Sequence, residues 1–250
     1  TDSFVVHPLF FPGGDIGELA VHGTVNDIAM CGATPLYLSV GLIIEEGLSM
    51  ADLETIINDM GRAAEAAGVT VVTGDTKVVP RGTADRIFIN TSGIGLIPQD
   101  VHVASDNARA GDKIILSGTI ADHGVTILTR REGLSFETSL QSDSAPLNHM
   151  IKKMFSATAA ADIHVLRDPT RGGLVSVSHE IARQSGRTVR LEQEAVEAER
   201  MAYVGTLASG LAHEIRNPLN SLSLNMQMLE EEARDGGSDS SRRRLLSLTR

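Results

Sequence analysis

Two short runs in the first part of the chain carry residues suited to chemistry. Asn26 and Asp27 adjoin one another, and Asp75 follows Gly74 and precedes Thr76 and Lys77. Two carboxylates, an amide oxygen, a hydroxyl and an ammonium are what Mg2+ and a polyphosphate require, because Mg2+ takes hard oxygen ligands and shares them with phosphate. Taken singly, each has a plainer role: Asp75 is a turn residue in a Gly-Asp-Thr bend, and Lys77 is a surface lysine. A third run, "DPTRGGL" from Asp168, reads either as a plain loop or as a loop entering a helix whose first amides suit an anion. A fourth, "GLAHEIRNPLN" over 210–220, presents His213 with Glu214, Arg216, Asn217 and Pro218. Glu214 can orient the imidazole or take its proton. Asn217, one turn on, can hydrogen-bond a phosphoryl group, and Pro218 loosens the helix there.

These residues need elements to place them. From Gly13 to about residue 191, helix-period and strand-period segments alternate, which predicts an α/β or α+β fold rather than a bundle. The clearest unit opens with Ser49 as N-cap and Asp52 three residues on. Its apolar face then runs through Leu53, Ile56, Ile57, Met60, Ala63, Ala64 and Ala67, and Gly68 stops it. "VTVVT" over 69–73 reads as a buried strand that delivers Asp75 at its end. Further strands are expected over 36–44, 86–95 and 113–117, and helices over 16–31, 125–131, 146–157 and 173–185. Asn26 and Asp27 then lie mid-helix beside an apolar face of Leu19, Ala20, Gly23 and Met30. Such side chains compete with helical bonding, so the pair wants a partner.

After about Glu194 the texture changes. Met201, Val204, Ala208, Leu211, Ile215, Leu219, Leu222, Met226 and Leu229 recur at three- and four-residue steps, the seam of a coiled coil or bundle with one stutter near Pro218. His213 lies two residues past a seam position and is expected to point to solvent.

Bulk properties exclude several classes. With 250 residues and 42% hydrophobic content the chain has material for one large or two modest cores. A formal charge of −10 argues against broad nucleic-acid or anionic-membrane binding. No apolar run approaches the ~18 residues of a membrane span. The single Cys31 leaves no internal disulfide and fits a reducing, cytoplasmic compartment, and within a helix it reads as a small buried hydrophobe. His123, in "ADHG", reads as a structural histidine. The opening "TDSFVV" has no initiator Met, so the chain is expected to be a fragment.

The segments "TDSFVVHPLFFPGGDIGELAVHGTVNDIAMCGATPLYLS", "VVTGDTKVVPRGTADRIFINTSGIG" and "DPTRGGL" resemble the HypE family of hydrogenase maturation factors, carbamoyl dehydratases of the AIR-synthetase-like superfamily. The resemblance runs to about Leu191. It implies a two-domain AIR-synthetase-like fold, divided here as 1–100 and 101–192 and truncated at both ends, with ATP and Mg2+ at the interface of a homodimer. It implies Asp2, Asp27 and Asp75 as metal residues, with Asn26, Thr76 and Lys77 near the nucleotide. Asp168, Thr170, Arg171, Gly172 and Gly173 would line the cleft from the second domain. A HypF-type carbamoyltransferase is the implied partner. The family's leading glycine-rich segment and its terminal cysteine, which receives the carbamoyl group, are not found in this sequence, so incomplete catalysis is expected.

The segment "ERMAYVGTLASGLAHEIRNPLNSL" resembles the H-box of sensor histidine kinases. It implies that residues 193–250 are a long, incomplete dimerisation helix, with His213 as phosphoacceptor assisted by Glu214 and Asn217. A kinase ATP-binding domain and a response regulator are the partners this implies.

Overall fold

The computed structural model describes residues 1–131, 140–170 and 172–190. His213, Glu214, Asn217 and the whole phosphoacceptor helix lie outside the described residues, as does Arg171.

Four strands, β1 (Asp2–Phe4), β4 (Thr34–Glu45), β5 (Thr70–Val79) and β6 (Ile87–Leu96), form a sheet in the order β1-β6-β4-β5. β4 and β5 run parallel, while β6 runs antiparallel to both β1 and β4. Between β1 and β4 the chain makes a small ribbon, β2 (Phe10–Phe11) with β3 (Gly14–Asp15), and then α1 (Ile16–Met30). Asp15 caps α1, its carboxylate accepting from the Gly17 and Glu18 amides at 2.7 and 2.9 Å. The parallel pair is joined by α2 (Met50–Ala67), as a βαβ unit requires.

The reading of α2 holds at both ends and along most of its apolar face. The Ser49 hydroxyl accepts from the Asp52 amide, and Gly68 ends the helix at φ 70°. The Asp52 carboxylate is taken by Arg86, 2.8 Å away. Ile56, Met60, Ala63, Ala64 and Ala67 are buried, while Ile57 is exposed. The core lies between one face of the sheet and the helix pair, with Ile16, Val21, Val25, Leu38, Ile56, Ile87 and Ile89 fully buried.

Beyond the sheet come α3 (Asp122–Arg131), α4 (Asn148–Ala157) and α5 (Gly173–Ser185), close to the expected helices. Three expectations fail. Residues 113–117 form no strand, and Ile114, Ile115 and Leu116 are exposed. A strand needs a ladder partner, and the described residues beyond Leu96 supply none. β5 is a strand but not a buried one: it is the sheet's outer edge, with Val71, Val72 and Val78 exposed. Its apolar run suits burial on both faces, which one copy of the described residues does not provide. Cys31 is exposed rather than buried, because it is the residue that caps α1, with its thiol toward the Asp27 carbonyl at 3.5 Å.

Candidate functional site

α1 is pinned to the sheet by a short hydroxyl pair, Thr24 Oγ1 to Thr91 Oγ1 at 2.5 Å, and the Thr91 hydroxyl also donates to the Ala20 carbonyl. Asp2 on β1 is the strand partner of Thr91, so it turns to the same helix-covered side. Asp27 lies just under one turn beyond Thr24. These placements bring Asp2 and Asp27 to one cavity of about 470 Å³, which Thr1, Arg167, Asp168, Thr170 and the α5 residues Ser176, Val177 and Glu180 complete.

The electrostatics follow from this company. Burial pushes the Asp27 carboxyl up to about 6; the negative charges of Asp168 and Asp2 add to this, as does a hydrogen bond shared with Asp168. Arg167 turns its guanidinium to Glu180 at 2.5 Å, and Glu180 also accepts from Gln184. Among the described lining residues the one arginine is thus paired with Glu180.

The entry to α5 explains the glycine pair of "DPTRGGL". Gly172 and Gly173 have φ of 71° and 60°, and a Cβ on Gly172 would collide with the Ser176 hydroxyl. Gly172 is the N-cap and supplies no side-chain bond, so the first amides of α5 keep their affinity for an anion beside the carboxylates.

Asp75 is not brought to this cavity. It pairs with Gly41, whose neighbour Leu42 is buried against the helices, so Asp75 faces the open side of the sheet. β5 is separated from β1 by β4 and β6, about 14 Å at the usual strand spacing. Within one chain, the cavity therefore brings together Asp2, Asp27 and Asp168, and Asp75 stands apart from it. Thr76 and Lys77 are also exposed on β5, and the Thr76 amide donates to the Asp75 carboxylate at 2.9 Å.

Asn26 finds the partner it wants in backbone. Its Nδ2 donates to Ala145 O at 2.9 Å and its Oδ1 accepts from Leu147 N at 2.8 Å. His123 is structural, as expected: its Nδ1 is 2.9 Å from the Ser142 hydroxyl, its ring stands edge-on to Phe11, and burial lowers its pKa. Sequence reasoning missed Arg167, Ser176 and Glu180. Ser176 and Glu180 lie four apart on α5, a spacing that would have put them on one face once that helix was oriented toward Asp27.

No group of three His, Cys, Asp or Glu among the described residues is placed to hold a metal ion by itself. The donor chemistry nevertheless fits Mg2+, which is commonly bound through one or two carboxylates and completed by water and substrate phosphate rather than by a protein cage. Crowded, partly buried carboxylates are also the groups whose mutual repulsion a dication relieves.

Residues 1–97 match AIR synthase related protein, N-terminal domain, and residues 109–232 match AIR synthase related protein, C-terminal domain. Carbamoyl dehydratase HypE of Azotobacter vinelandii is 56% identical over 196 residues, which is 78% of this chain and 57% of that protein. The chain thus spans little more than half the length of that relative. The solved HypE-HypF complex matches at 50% identity and TM-score 0.73, covering 82% of this chain and 68% of the other. Hydrogenase maturation protein HypE in complex with ATP matches at 53% identity and TM-score 0.71, covering 82% and 62%.

Proposed function

The chain belongs to the AIR synthase related family, and on that premise we propose that it is a HypE-type segment whose Asp2–Asp27–Asp168 cavity takes the magnesium-bound phosphates of ATP. The reaction of the whole protein is then the dehydration of a carbamoyl group carried on a cysteine sulfur: R–S–C(O)NH2 and ATP give R–S–CN, ADP and phosphate. The amide oxygen leaves on the phosphate, and the nitrogen gives up both protons. One or two of these carboxylates, completed by phosphate and water, would hold Mg2+, whose chemistry would be to neutralise charge on the transferring phosphoryl group. The chain's own contribution is binding and orientation, with the α5 amides facing phosphate oxygens. The observation that carries this reading is the convergence of Asp27, Asp2 and Asp168 on one cavity beside an uncapped helix N-terminus.

The exposed β5 supports the rest of the reading. A second copy packed along the exposed β5 edge would cover Val71, Val72 and Val78 and reach Asp75 and Lys77 on the open face, making a homodimer with nucleotide at its interface. A HypF-type carbamoyltransferase supplies the carbamoyl group, and the cytoplasm is the compartment we assign. No helix among the described residues is long and apolar enough to cross a membrane. The test is thermal melting with and without millimolar MgATP. Binding to the folded state alone raises stability by about 2.7 kcal/mol at a hundredfold excess over Kd. A melt that does not move counts against the site.

The order His213, Glu214, Arg216, Asn217, Pro218 supports a second role for the C-terminal segment, as a phosphoacceptor. MgATP alone is expected to leave His213 unlabelled. Acid-labile phosphate is expected on it when a compatible histidine kinase ATP-binding domain is added, and His213→Gln abolishes the label. Label from ATP alone would show that the two segments act together.

A further inference from the structure

Asp27 and Asp168 come from opposite ends of the described chain, so the cavity exists only while the later helices are seated on α1. Residues 141–147, which lead into α4, make the part of that seat that lies on α1, while α5 packs on the turn over 105–107, where Ala104 N donates to His164 O at 3.2 Å. Ser142 N donates to Pro12 O at 2.8 Å, an approach so close that a Cβ on Gly13, itself at φ 90°, would lie 2.8 Å from Ser142 N. The Ser142 hydroxyl meets His123 Nδ1 at 2.9 Å, and the Ser144 hydroxyl meets His22 Nδ1 at 3.1 Å. The Asp143 carboxylate accepts from the His123 amide in the first turn of α3. Immediately beyond, Asn148 Nδ2 donates to Ala67 O and His149 Nε2 to Ala66 O, both at 2.8 Å, tying α4 to the end of α2.

Asn26 stands at the centre of this seat. It holds Ala145 and Leu147 at once, and it shares one stripe of α1 with His22, four residues back. Its neighbour in sequence is Asp27. One turn of α1 therefore grips the incoming segment on one stripe and lines the cavity on the next. With its Nδ2 and Oδ1 engaged by backbone at 2.9 and 2.8 Å, the Asn26 amide is committed to holding the segment rather than a phosphate.

We propose that Asn26 is a positioning residue of the cavity: its two backbone hydrogen bonds seat residues 141–147 on α1 and thereby hold Asp168 and the start of α5 against Asp27. What the cavity binds rests on the reading above; the seating does not.

The test uses the single native cysteine. Cys31 is exposed at the end of α1, and Arg183 is exposed on α5, so spin labels on Cys31 and on Arg183→Cys report the separation of the two helices by double electron–electron resonance. The parent pair is expected to show one narrow distance. Asn26→Ala broadens it well below the melting temperature and weakens MgATP binding by about tenfold, about 1.4 kcal/mol. Asn26→Asp keeps the acceptor for Leu147 N, loses the donor to Ala145 O, and gives an intermediate width; it carries the test if the alanine variant does not fold. Saturating MgATP narrows the distribution again in either variant. A mere loss of stability would not move a distance measured in the folded state. Distributions as narrow in both variants as in the parent overturn the proposal. Broadening in a protein whose parent form ignores MgATP supports the seating and refutes only the nucleotide reading.

Discussion

At pH 7, Asp27→Asn is expected to make the ligand-free protein more stable and to remove the stabilisation that MgATP confers. In the folded protein the Asp27 carboxyl is raised to about 6 by burial and by Asp168 and Asp2. The proton is thus held more tightly in the folded state than in the unfolded one. Below about pH 4 both states carry it and nothing is gained or lost. Between about pH 4 and 6 the unfolded state gives up the proton while the folded state keeps it, so stability falls, and above that window both states are charged and the cost is constant. After solvent screening the cost is about 1 kcal/mol. The asparagine variant loses both the cost and its pH dependence. It also loses a charged oxygen ligand, so the MgATP shift should fall to about a tenth or less of its parent value. Melting curves at pH 4.5 and 7, each with and without MgATP, check both halves. A variant less stable than the parent at pH 7 would mean that Asp27 is a structural carboxylate.

The second large effect is expected at Gly17, where α1 packs closely against α2. A Cβ there would lie 2.5 Å from the Ile56 carbonyl oxygen, 2.8 Å from Met60 Cγ and 3.1 Å from the Asp15 carboxylate. The first of these is backbone and cannot rotate away. Gly17→Val is therefore expected to force the helices apart at a cost of about 3 kcal/mol or more, a large share of the 5–15 kcal/mol that typically holds a domain together. A urea titration reads this as a lowered midpoint with an unchanged slope. A midpoint within about 0.5 kcal/mol of the parent would show that the crossing has room to relax.

Why some of this was legible in the sequence and some was not follows from the range of the forces. α2 could be read because its determinants are local: Ser49 and Gly68 satisfy end groups within a turn, and Ile56, Met60 and Ala63 recur at helical spacing. The glycine pair before α5 was legible for the same reason. The Gly17 crossing was not, because its reason is the Ile56 carbonyl on another helix. β5 carries an apolar run that suits burial, yet among the described residues of one chain it stands exposed at the sheet edge, because neighbours in the sheet rather than local sequence decide that. Asp75 was grouped with Asp27 by chemical type, whereas the sheet places them on opposite faces, and only strand register reveals that. Asn26 illustrates a further limit. Its need for partners was evident from its position in a helix, but whether phosphate or backbone met that need depended on residues 145 and 147. Asp168 came from a resemblance, since no local rule links it to Asp27 across the chain.

The central claim, that Asp2, Asp27 and Asp168 form a magnesium-dependent nucleotide site, is tested most directly by calorimetric titration of ATP into the protein, once with Mg2+ and once with chelator. Saturable binding with Mg2+, its loss in chelator, and its loss in Asp27→Asn and Asp168→Asn are the predicted results. Binding that persists undiminished in both variants, or no binding with Mg2+ present, would contradict the account.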